Sequence, residues 1–330
     1  PISKAWLRGV HVDTVSGAVP ETVFSMFQLT FAIITPALIV GGFAERTRFA
    51  GMLLFSLFWL ILVYLPVTHW VWGGGWLQKM EFRDFAGGAV VHVNAGVASL
   101  VAALVIGRRS GFPGTPMLPH NLTMTVTGAS LLWVGWYGFN AGSALAANGA
   151  AGMAMLVTHV AAATGALAWM CIEWVKFGKP SVLGIVTGMV AGLGTITPAS
   201  GYVGPMGGVI IGLIAGVVCF YATQFVKRKL KIDDSLDVFP VHGVGGFTGL
   251  LLTAVFSSPS LDGLGLPTGM SVGGLLLTQA VGAVATAVWC GVVTFVLLKL
   301  VNMVAPLRVT SEQESEGLDL VLHEERGYSL

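Results

Sequence analysis

Long apolar runs, separated by short polar segments, fill most of the chain. A hydrocarbon core about 30 Å thick needs roughly 20 apolar residues per helix. Nine runs reach that length, and because they lack period-two alternation they are not the strands of a membrane β-barrel. The pattern predicts an all-α polytopic membrane protein with nine helices, over 22–44, 50–71, 84–107, 121–145, 149–175, 181–200, 204–226, 237–257 and 273–304.

The composition excludes most soluble classes of protein. Of the 330 residues, 55% are hydrophobic and only 10% are charged, whereas soluble domains average about 25% charged residues. The formal net charge of +1 offers no electrostatic basis for binding nucleic acid. Cys171, Cys219 and Cys290 lie inside apolar runs, so we expect buried core residues rather than disulfides.

Basic residues are divided unequally between the two ends of the predicted helices. Four of the 17 Lys and Arg residues (Lys4, Arg8, Lys79 and Arg83) fall on one side, and the others fall on the opposite side. Cytoplasmic loops of membrane proteins carry the excess of positive charge. We therefore expect the N-terminus outside and the C-terminal tail in the cytoplasm.

Two short motifs recur along the chain. Ile-Thr-Pro-Ala occurs at 34–37 and 196–199, and Val-His followed by Gly occurs at 91–96 and 241–246. The offsets indicate one duplication whose unit spans five helices, an odd number, so the copies must have inverted topology. The first copy has only three helices, and symmetry therefore predicts two more upstream of Pro1.

Glycines at four-residue spacing mark the sixth and seventh predicted helices. Such spacing brings backbones together, so we expect these two helices to pack unusually closely, as a feature of the bundle rather than of a site. The residues are Gly184, Gly188, Gly192, Gly204, Gly208, Gly212 and Gly216.

Two histidines occupy corresponding places in the repeat. His92 follows Asp84 by about 12 Å of helix, and His242 follows Asp237 by about 7.5 Å. Because equivalent positions of an inverted repeat meet near the midplane, we expect the imidazoles to face each other and stay largely neutral. An ordinary interhelical hydrogen bond is the alternative, and it is the interpretation for His159. Both aspartates are expected to cap their helices.

Aromatic side chains recur at helical spacing on the first and fourth predicted helices, and three tryptophans lie at the outer end of the second. Core packing and an interfacial belt are the ordinary interpretations. For the three tryptophans of the second helix, a receptor for a desolvated cation is the alternative, because a Trp face is the side chain that attracts such a cation best. The residues are Phe24, Phe27, Phe31, Trp133, Trp136, Phe139, Trp70, Trp72 and Trp76, with Ser143 one turn beyond Phe139.

Motifs for several other functions are absent from the sequence. It contains no Walker A motif for ATP and no His or Cys cluster with metal-ligand spacing, and we expect no cofactor. Two alternatives stay open. One is a membrane electron-transfer protein with His92 and His242 as axial haem ligands. The other is a sodium-coupled secondary transporter, which the inverted repeat also suits.

Six stretches of the chain, in order between Glu21 and Tyr328, together resemble the ammonium transporter family (Amt/Mep/Rh), and bacterial Amt proteins more closely than Rh proteins. They are Phe27-Gln-Leu-Thr-Phe-Ala-Ile-Ile-Thr-Pro36, Trp72-Gly-Gly-Gly75, Asp84-Phe-Ala-Gly-Gly88 through His92, Gly135-Trp136 to Phe139-Asn-Ala-Gly-Ser143, Asp237-Val-Phe239 with Val241-His-Gly-Val244, and Glu316-Gly-Leu-Asp319.

The resemblance implies an ammonium-transporter fold of eleven helices with an inverted five-helix repeat, nine of them present in an N-terminally truncated chain. It implies a transporter of ammonium and ammonia, not an enzyme, in the inner membrane, assembled as a homotrimer with a pore in each protomer. Residues 1–21 would form an extracytoplasmic segment, 22–304 the transport domain, and 305–330 the cytoplasmic tail.

The resemblance also assigns roles to single residues. The outer ammonium site would comprise Trp72, Phe31, Phe27, Ser143 and Asp84. Phe31 and Phe139 would stack as a gate. The pore lining would include Trp136, His92 and His242. The cation would lose its proton at the outer site, because a bare cation in an apolar pore costs several kcal/mol, and neutral ammonia would pass. No catalytic residue or metal ligand is implied.

The tail resembles the segment that braces neighbouring protomers in this family, and a nitrogen-regulatory PII-type protein is the implied partner at the cytoplasmic face. Glu324 follows His323 where the family usually places Gly. This departure concerns the coupling of the tail.

Overall fold

A computed structural model describes residues 2–328, and each of the nine apolar runs forms a helix in it. Seven helices in this range are long and apolar enough to cross a membrane, whereas the apolar helix α6 is shorter. The chain is therefore a multi-pass membrane protein. The helices are α1 Glu21–Val40, α2 Phe49–Lys79, α3 Gly88–Ile106, α4 Leu122–Gly142, α5 Gly149–Phe177, α6 Val182–Ile196, α7 Pro205–Lys229, α8 Phe239–Phe256 and α9 Val272–Val304.

Short π-helical turns interrupt the regular hydrogen bonding of four helices. Two of them begin α3 and α8, over Gly88–Val93 and Phe239–Val244. The others lie in α2 and at the end of α7, over Leu60–Tyr64 and Phe225–Lys229. Single π turns shift the register of a helix face and concentrate at functional sites. Both repeated Val-His pairs lie inside such turns.

The glycine stripes of α6 and α7 serve a third helix. A methyl group added at Gly188 would lie 2.6 Å from the Gly165 carbonyl of α5, and one at Gly216 would lie 2.7 Å from the same oxygen. The expectation of close packing is confirmed, because α6 and α7 pack against each other. Their glycines also bring both helices close to α5, which the sequence pattern did not predict.

The two halves of the repeat interlock through reciprocal glycines. A Cβ at Gly96 of α3 would overlap the Gly243 backbone of α8, and one at Gly246 of α8 would lie 2.8 Å from His92 Cβ. Each copy of the repeat therefore places a glycine against the segment of the other copy that carries its histidine. This arrangement supports the inverted duplication predicted from the motifs, whereas the two additional helices stay a prediction.

The C-terminal segment folds back over one end of the bundle, which we call the tail face. Thr47 forms a β-bridge with Arg308, and two short helices follow, α10 Ser311–Glu316 and α11 Leu318–His323. At the opposite end, strands β1 Val15–Ser16 and β2 Val19–Pro20 form a small hairpin before α1.

The cysteines differ in environment. Cys219 and Cys290 are buried, as expected, but Cys171 is exposed on α5, so the prediction of a core position is wrong for it. An apolar run that forms a membrane helix has one face toward the bundle and one toward lipid, and composition does not distinguish them.

Candidate functional site

The two repeated histidines meet inside the bundle. His92 Nδ1 and His242 Nδ1 lie 3.2 Å apart, and the ring planes differ by 20° at a centroid distance of 5.2 Å. His92 is 1% and His242 7% exposed. The two rings are therefore in hydrogen-bond contact, with one Nδ1 as donor and the other as acceptor. His92 Nε2 is buried and has no partner within the described residues.

A mostly apolar cavity of about 530 Å³ reaches both imidazoles. It lies between α1 and α4, and among the described residues that line it, Thr30 and the two histidines are the only polar side chains apart from the Trp136 indole. Trp136 stacks on His92 at 5.5 Å, with ring planes 13° apart. Further lining residues are Phe27, Ile34, Leu38, Val91, Gly128, Leu132, Gly135, Phe139 and Val190.

An aromatic cluster closes one end of this cavity. The Phe31 and Phe139 rings lie 4.4 Å apart, tilted by 35°, so α1 and α4 contribute one ring each. Phe31 also meets Phe27 at 4.9 Å and Trp72 at 5.6 Å, both edge to face. Three of the predicted substrate-site residues therefore touch one another around Phe31, which is buried.

Asp84 lies below this cluster with its carboxylate surrounded by backbone donors. The N–H groups of Gly87, Gly88, Ala89 and Val90 all donate to its two oxygens, as predicted for a helix cap. Burial raises the pKa of this carboxyl above its ordinary value, while the four N–H groups act in the opposite sense and favour the anion. Its backbone carbonyl accepts from Trp72 Nε1 at 2.8 Å, which ties the indole to this loop.

Two hydroxyl groups have informative partners. Ser143 Oγ donates to the Phe139 carbonyl at 2.8 Å, which leaves its lone pairs free to accept.

Trp136 Nε1 donates to Thr197 Oγ1 at 2.9 Å. Sequence reasoning passed over Thr197, although it lies in the repeated Ile-Thr-Pro-Ala motif. That repetition was the available signal.

The prediction that Asp237 caps α8 is wrong. Asp234 Oδ2 accepts from the Phe239 N–H at 2.7 Å, and Asp237, with a left-handed φ of 58°, instead pairs with Lys227 Nζ at 2.7 Å. The sequence pattern favoured Asp237 as the cap because it is the acidic residue closest to the apolar run. The chain turns at Asp237, however, and this turn brings the side chain of Asp234 to the start of α8.

Beyond the histidines, the first cavity adjoins a larger one of about 1250 Å³ at the tail face. The two share His242, Gly128, Leu132 and Val190. Charged side chains line the larger cavity: Glu45, Arg109, Lys227, Asp237, Glu314 and Asp319. Polarity therefore rises sharply on the tail side of the imidazole pair.

A buried arginine joins the loops around that cavity. Arg46 donates to the carbonyls of Gly42, Gly107 and Asp233 and to Ser235 Oγ. Burial lowers the pKa of Arg46 to about 10, so it remains charged at neutral pH.

Its neighbour Asp233 is paired with Arg109 at 2.8 Å. Burial alone would raise the pKa of Asp233, but the Arg109 hydrogen bonds hold it below its ordinary value.

His159 lies away from the cavity. It is exposed on α5, and its Nδ1 is 2.7 Å from the Tyr137 hydroxyl, in agreement with an ordinary interhelical hydrogen bond.

The bundle of apolar helices and the mostly apolar cavity that reaches its buried imidazoles define the class of the protein: a multi-pass membrane protein with a cavity between its helices. The chain belongs to the ammonium transporter family. The sequence profile described as Ammonium Transporter Family matches residues 4–328. Members of this family are transporters, not enzymes, and ammonium is their substrate.

Relatives and solved structures agree with that assignment. The chain is 48% identical over 328 residues to an ammonium transporter of Bacillus subtilis, covering 98% of this chain and 80% of that protein. It is 44% identical to the ammonium transporter Amt1 of Archaeoglobus fulgidus, covering 98% and 82%. Mep2 of Saccharomyces cerevisiae superposes with a TM-score of 0.81 at 36% identity, over 89% of this chain and 68% of that one.

Proposed function

We propose that this chain captures ammonium at the aromatic cluster, removes its proton there, and conducts neutral ammonia past His92 and His242. The observation that carries the proposal is the 3.2 Å contact between two imidazoles inside an apolar cavity. Such a cavity rejects a bare cation, because an unpaired charge there costs several kcal/mol or more. It admits a small neutral molecule that can hydrogen-bond to the ring nitrogens.

The capture step is supported by the chemistry of the cluster around Phe31. The faces of Trp72 and Phe31 attract a cation that has lost part of its water. The Ser143 hydroxyl, which already donates to a carbonyl, can only accept from the ligand. Asp84 adds negative charge from beneath, and Phe27 supplies further aromatic surface. Ammonium suits this cluster, because its positive charge is attracted to the aromatic faces and to Asp84, and its four N–H groups can donate to the Ser143 hydroxyl.

The gating step is supported by the Phe31–Phe139 pair. Their rings are 4.4 Å apart and leave no passage between them, so one ring must move for a molecule to enter. Aromatic side chains in such positions exclude water from the cavity beyond. Ammonium can leave its proton outside this barrier, whereas potassium, similar in size and charge, cannot become neutral.

The conduction step is supported by the asymmetry of the imidazole pair. The ring that accepts at Nδ1 carries its single N–H proton on Nε2, whereas the ring that donates from Nδ1 has a free lone pair on Nε2. The pair therefore offers both a donor and an acceptor to ammonia. Charging both rings at 3.2 Å would be strongly unfavourable, so the pair holds at most one extra proton.

The proposal extends to the orientation and assembly of the chain. We propose that the tail face is cytoplasmic, with residues 1–21 outside, 22–304 forming the transport domain and 305–330 the tail. The excess of basic residues on the tail face supports this orientation. A homotrimer in the inner membrane and a PII-type regulatory partner at the tail face rest on the family resemblance.

The haem alternative conflicts with the geometry of the histidines. Metal–nitrogen bonds are about 2 Å long, so nitrogens 3.2 Å apart cannot both be axial ligands of one iron. The sodium-coupled alternative gains no support from the cavity, whose described lining contains no carboxylate between the aromatic cluster and His242.

The proposal is tested by reconstituting the chain in proteoliposomes and measuring the entry of ammonia and of potassium side by side, with entrapped pH-sensitive and potassium-sensitive dyes and protein-free vesicles as the baseline. Because the proton stays outside, the entry of ammonia should make the vesicle interior alkaline, and potassium should enter at least tenfold more slowly because it cannot shed its charge. In a His92→Leu/His242→Leu double variant, we expect the ammonia flux to fall about tenfold or the discrimination against potassium to disappear, since each lost hydrogen bond contributes about 1 kcal/mol.

His159→Leu is the matched control, because it removes an intramembrane imidazole outside the cavity. It should leave both fluxes within twofold of those of the unmodified chain. Equal ammonia and potassium fluxes would overturn the deprotonation filter. Unchanged flux and selectivity in the double variant would remove the role assigned to the imidazole pair.

A further inference from the structure

Six basic residues gather at the tail-face ends of two packed helices, α5 and α7. Within residues 2–328, only Lys227 of the six has a carboxylate within 4.0 Å, its Nζ lying 2.7 Å from Asp237. The others are exposed and have no such neighbour. We call these five residues the α5–α7 basic patch: Lys176, Lys179, Arg228, Lys229 and Lys231.

Two cations of the patch each stack on an aromatic ring of the other helix. Lys176 of α5 places its Nζ 4.5 Å from the ring centre of Tyr221 on α7. Arg228 of α7 places its guanidinium carbon 5.6 Å from the ring centre of Phe177 on α5. Each helix therefore holds the cation of the other on an aromatic face. The two positive groups are pre-positioned along one groove, and less side-chain entropy is lost when an anion binds.

The acidic side chains near the patch already have other hydrogen-bond or ion-pair partners. Glu173, the one acidic residue of α5, accepts from the Ser181 N–H and hydroxyl, each at 2.8 Å, and from Trp169 Nε1 at 3.1 Å. Asp237 is paired with Lys227, and Asp233 with Arg109. The patch therefore retains an uncompensated positive charge.

Exposed apolar and aromatic side chains border the patch on the bundle side. Trp174 is 58% and Val175 87% exposed in the last turns of α5, and Phe225 is 55% exposed on α7. Cations at the ends of such helices lie at the depth of lipid headgroups, with the apolar surface beside the acyl chains.

We propose that the α5–α7 basic patch binds the phosphate headgroups of anionic lipids in the leaflet on the tail face. Basic clusters at the ends of membrane helices attract anionic headgroups, and each Lys or Arg near the surface contributes to that attraction. The adjoining apolar band favours a lipid over a free phosphate ion, because only a lipid supplies acyl chains to cover it.

The test measures phosphatidylglycerol binding to the full chain purified in a neutral detergent. Energy transfer from protein tryptophans to pyrene-labelled phosphatidylglycerol reports binding, and unlabelled lipid competes. We expect phosphatidylglycerol to compete at least tenfold better than phosphatidylcholine. A Lys176→Gln/Arg228→Gln variant should weaken that competition at least tenfold, whereas Lys176→Arg, which keeps the charge, should retain it within threefold.

The matched control is Arg108→Gln/Lys299→Gln, which removes two other basic side chains and should change the competition less than twofold. Size-exclusion chromatography of each variant verifies that the fold is intact. Equal losses in the two double variants would show general charge attraction and overturn the proposal. Equal competition by phosphatidylcholine would do the same, as would displacement of the labelled lipid by inorganic phosphate at the same concentration as phosphatidylglycerol.

Discussion

At the scale of single residues, the chemistry of this chain depends on which polar groups are buried with partners. The Nδ1 atoms of His92 and His242 form a hydrogen bond with each other, and His92 Nε2 is buried without a partner among the described residues. Asp84 remains compatible with burial because four backbone N–H groups donate to it. Asp234 and Asp237 lie only three residues apart, yet one caps a helix and the other pairs with Lys227.

Asp234 makes the stability of the fold dependent on pH. Burial and the neighbouring charge of Asp237 raise its pKa to about 7, against about 3.9 in an unfolded chain. Between about pH 4 and 7 the folded state therefore holds a proton that the unfolded state has released. The free energy of unfolding falls as pH rises through this window and levels off above it, a contribution of roughly 4 kcal/mol.

We expect Asp234→Asn to flatten this dependence, because the amide does not titrate. Melting temperatures measured in detergent from pH 4.5 to 8 test the effect. Asp319→Asn, an exposed carboxylate of the tail, should keep the slope of the unmodified chain. A slope in Asp234→Asn as steep as in the unmodified chain would show that other groups cause it.

At the scale of elements, close approach of backbones positions the site. The π turns at the starts of α3 and α8 carry His92 and His242, and Gly96 and Gly246 let these segments touch. Repetition of the Val-His motif was sufficient to predict that the imidazoles meet. The π turns were not predictable, since the register change arises where the two backbones press together and not from local sequence preference.

We expect Gly96→Ala to destabilise the fold, because its Cβ would overlap the Gly243 backbone. Overpacking of this kind costs about 1–3 kcal/mol, so the melting temperature should fall by several degrees. Gly152→Ala on α5 is the matched control, because nothing lies within 4 Å of the added carbon. Alanine there should be neutral or stabilising by up to about 1 kcal/mol. Equal melting temperatures for the two variants would contradict the proposed contact.

At the scale of the whole molecule, the tail connects parts of the chain that are far apart in sequence. Glu314 of α10 accepts from the Ser110 N–H at 2.6 Å and pairs with Arg308 at 2.8 Å. Tyr328 reaches Asn121 and the sulfur of Met124 at the start of α4. The tail is therefore held against the larger cavity, which His242 also lines.

We expect Glu314→Gln to loosen the tail, because the amide loses the ion pair with Arg308 while the shape of the side chain is kept. A partly buried pair of this kind contributes about 1 kcal/mol, so trypsin should cleave after Arg308 about fivefold faster. Glu312→Gln, on the exposed face of the same helix, should change the rate less than twofold. Equal rates for both variants would mean that Glu314 does not anchor the tail.

The sequence by itself determined the helical bundle, because a chain in hydrocarbon must satisfy its backbone internally and long apolar runs can do so only as helices. It also determined the pairing of His92 with His242, since a motif repeated in inverted copies returns to a common axis. Only the tertiary structure decided that Asp234 caps α8, that the glycine stripes bring α6 and α7 close to α5, and that Cys171 faces outward. These three features depend on distances between segments that are remote in sequence. A loop displaced by a few ångströms, or a helix rotated about its axis, would change each feature without altering the apolar pattern of the sequence.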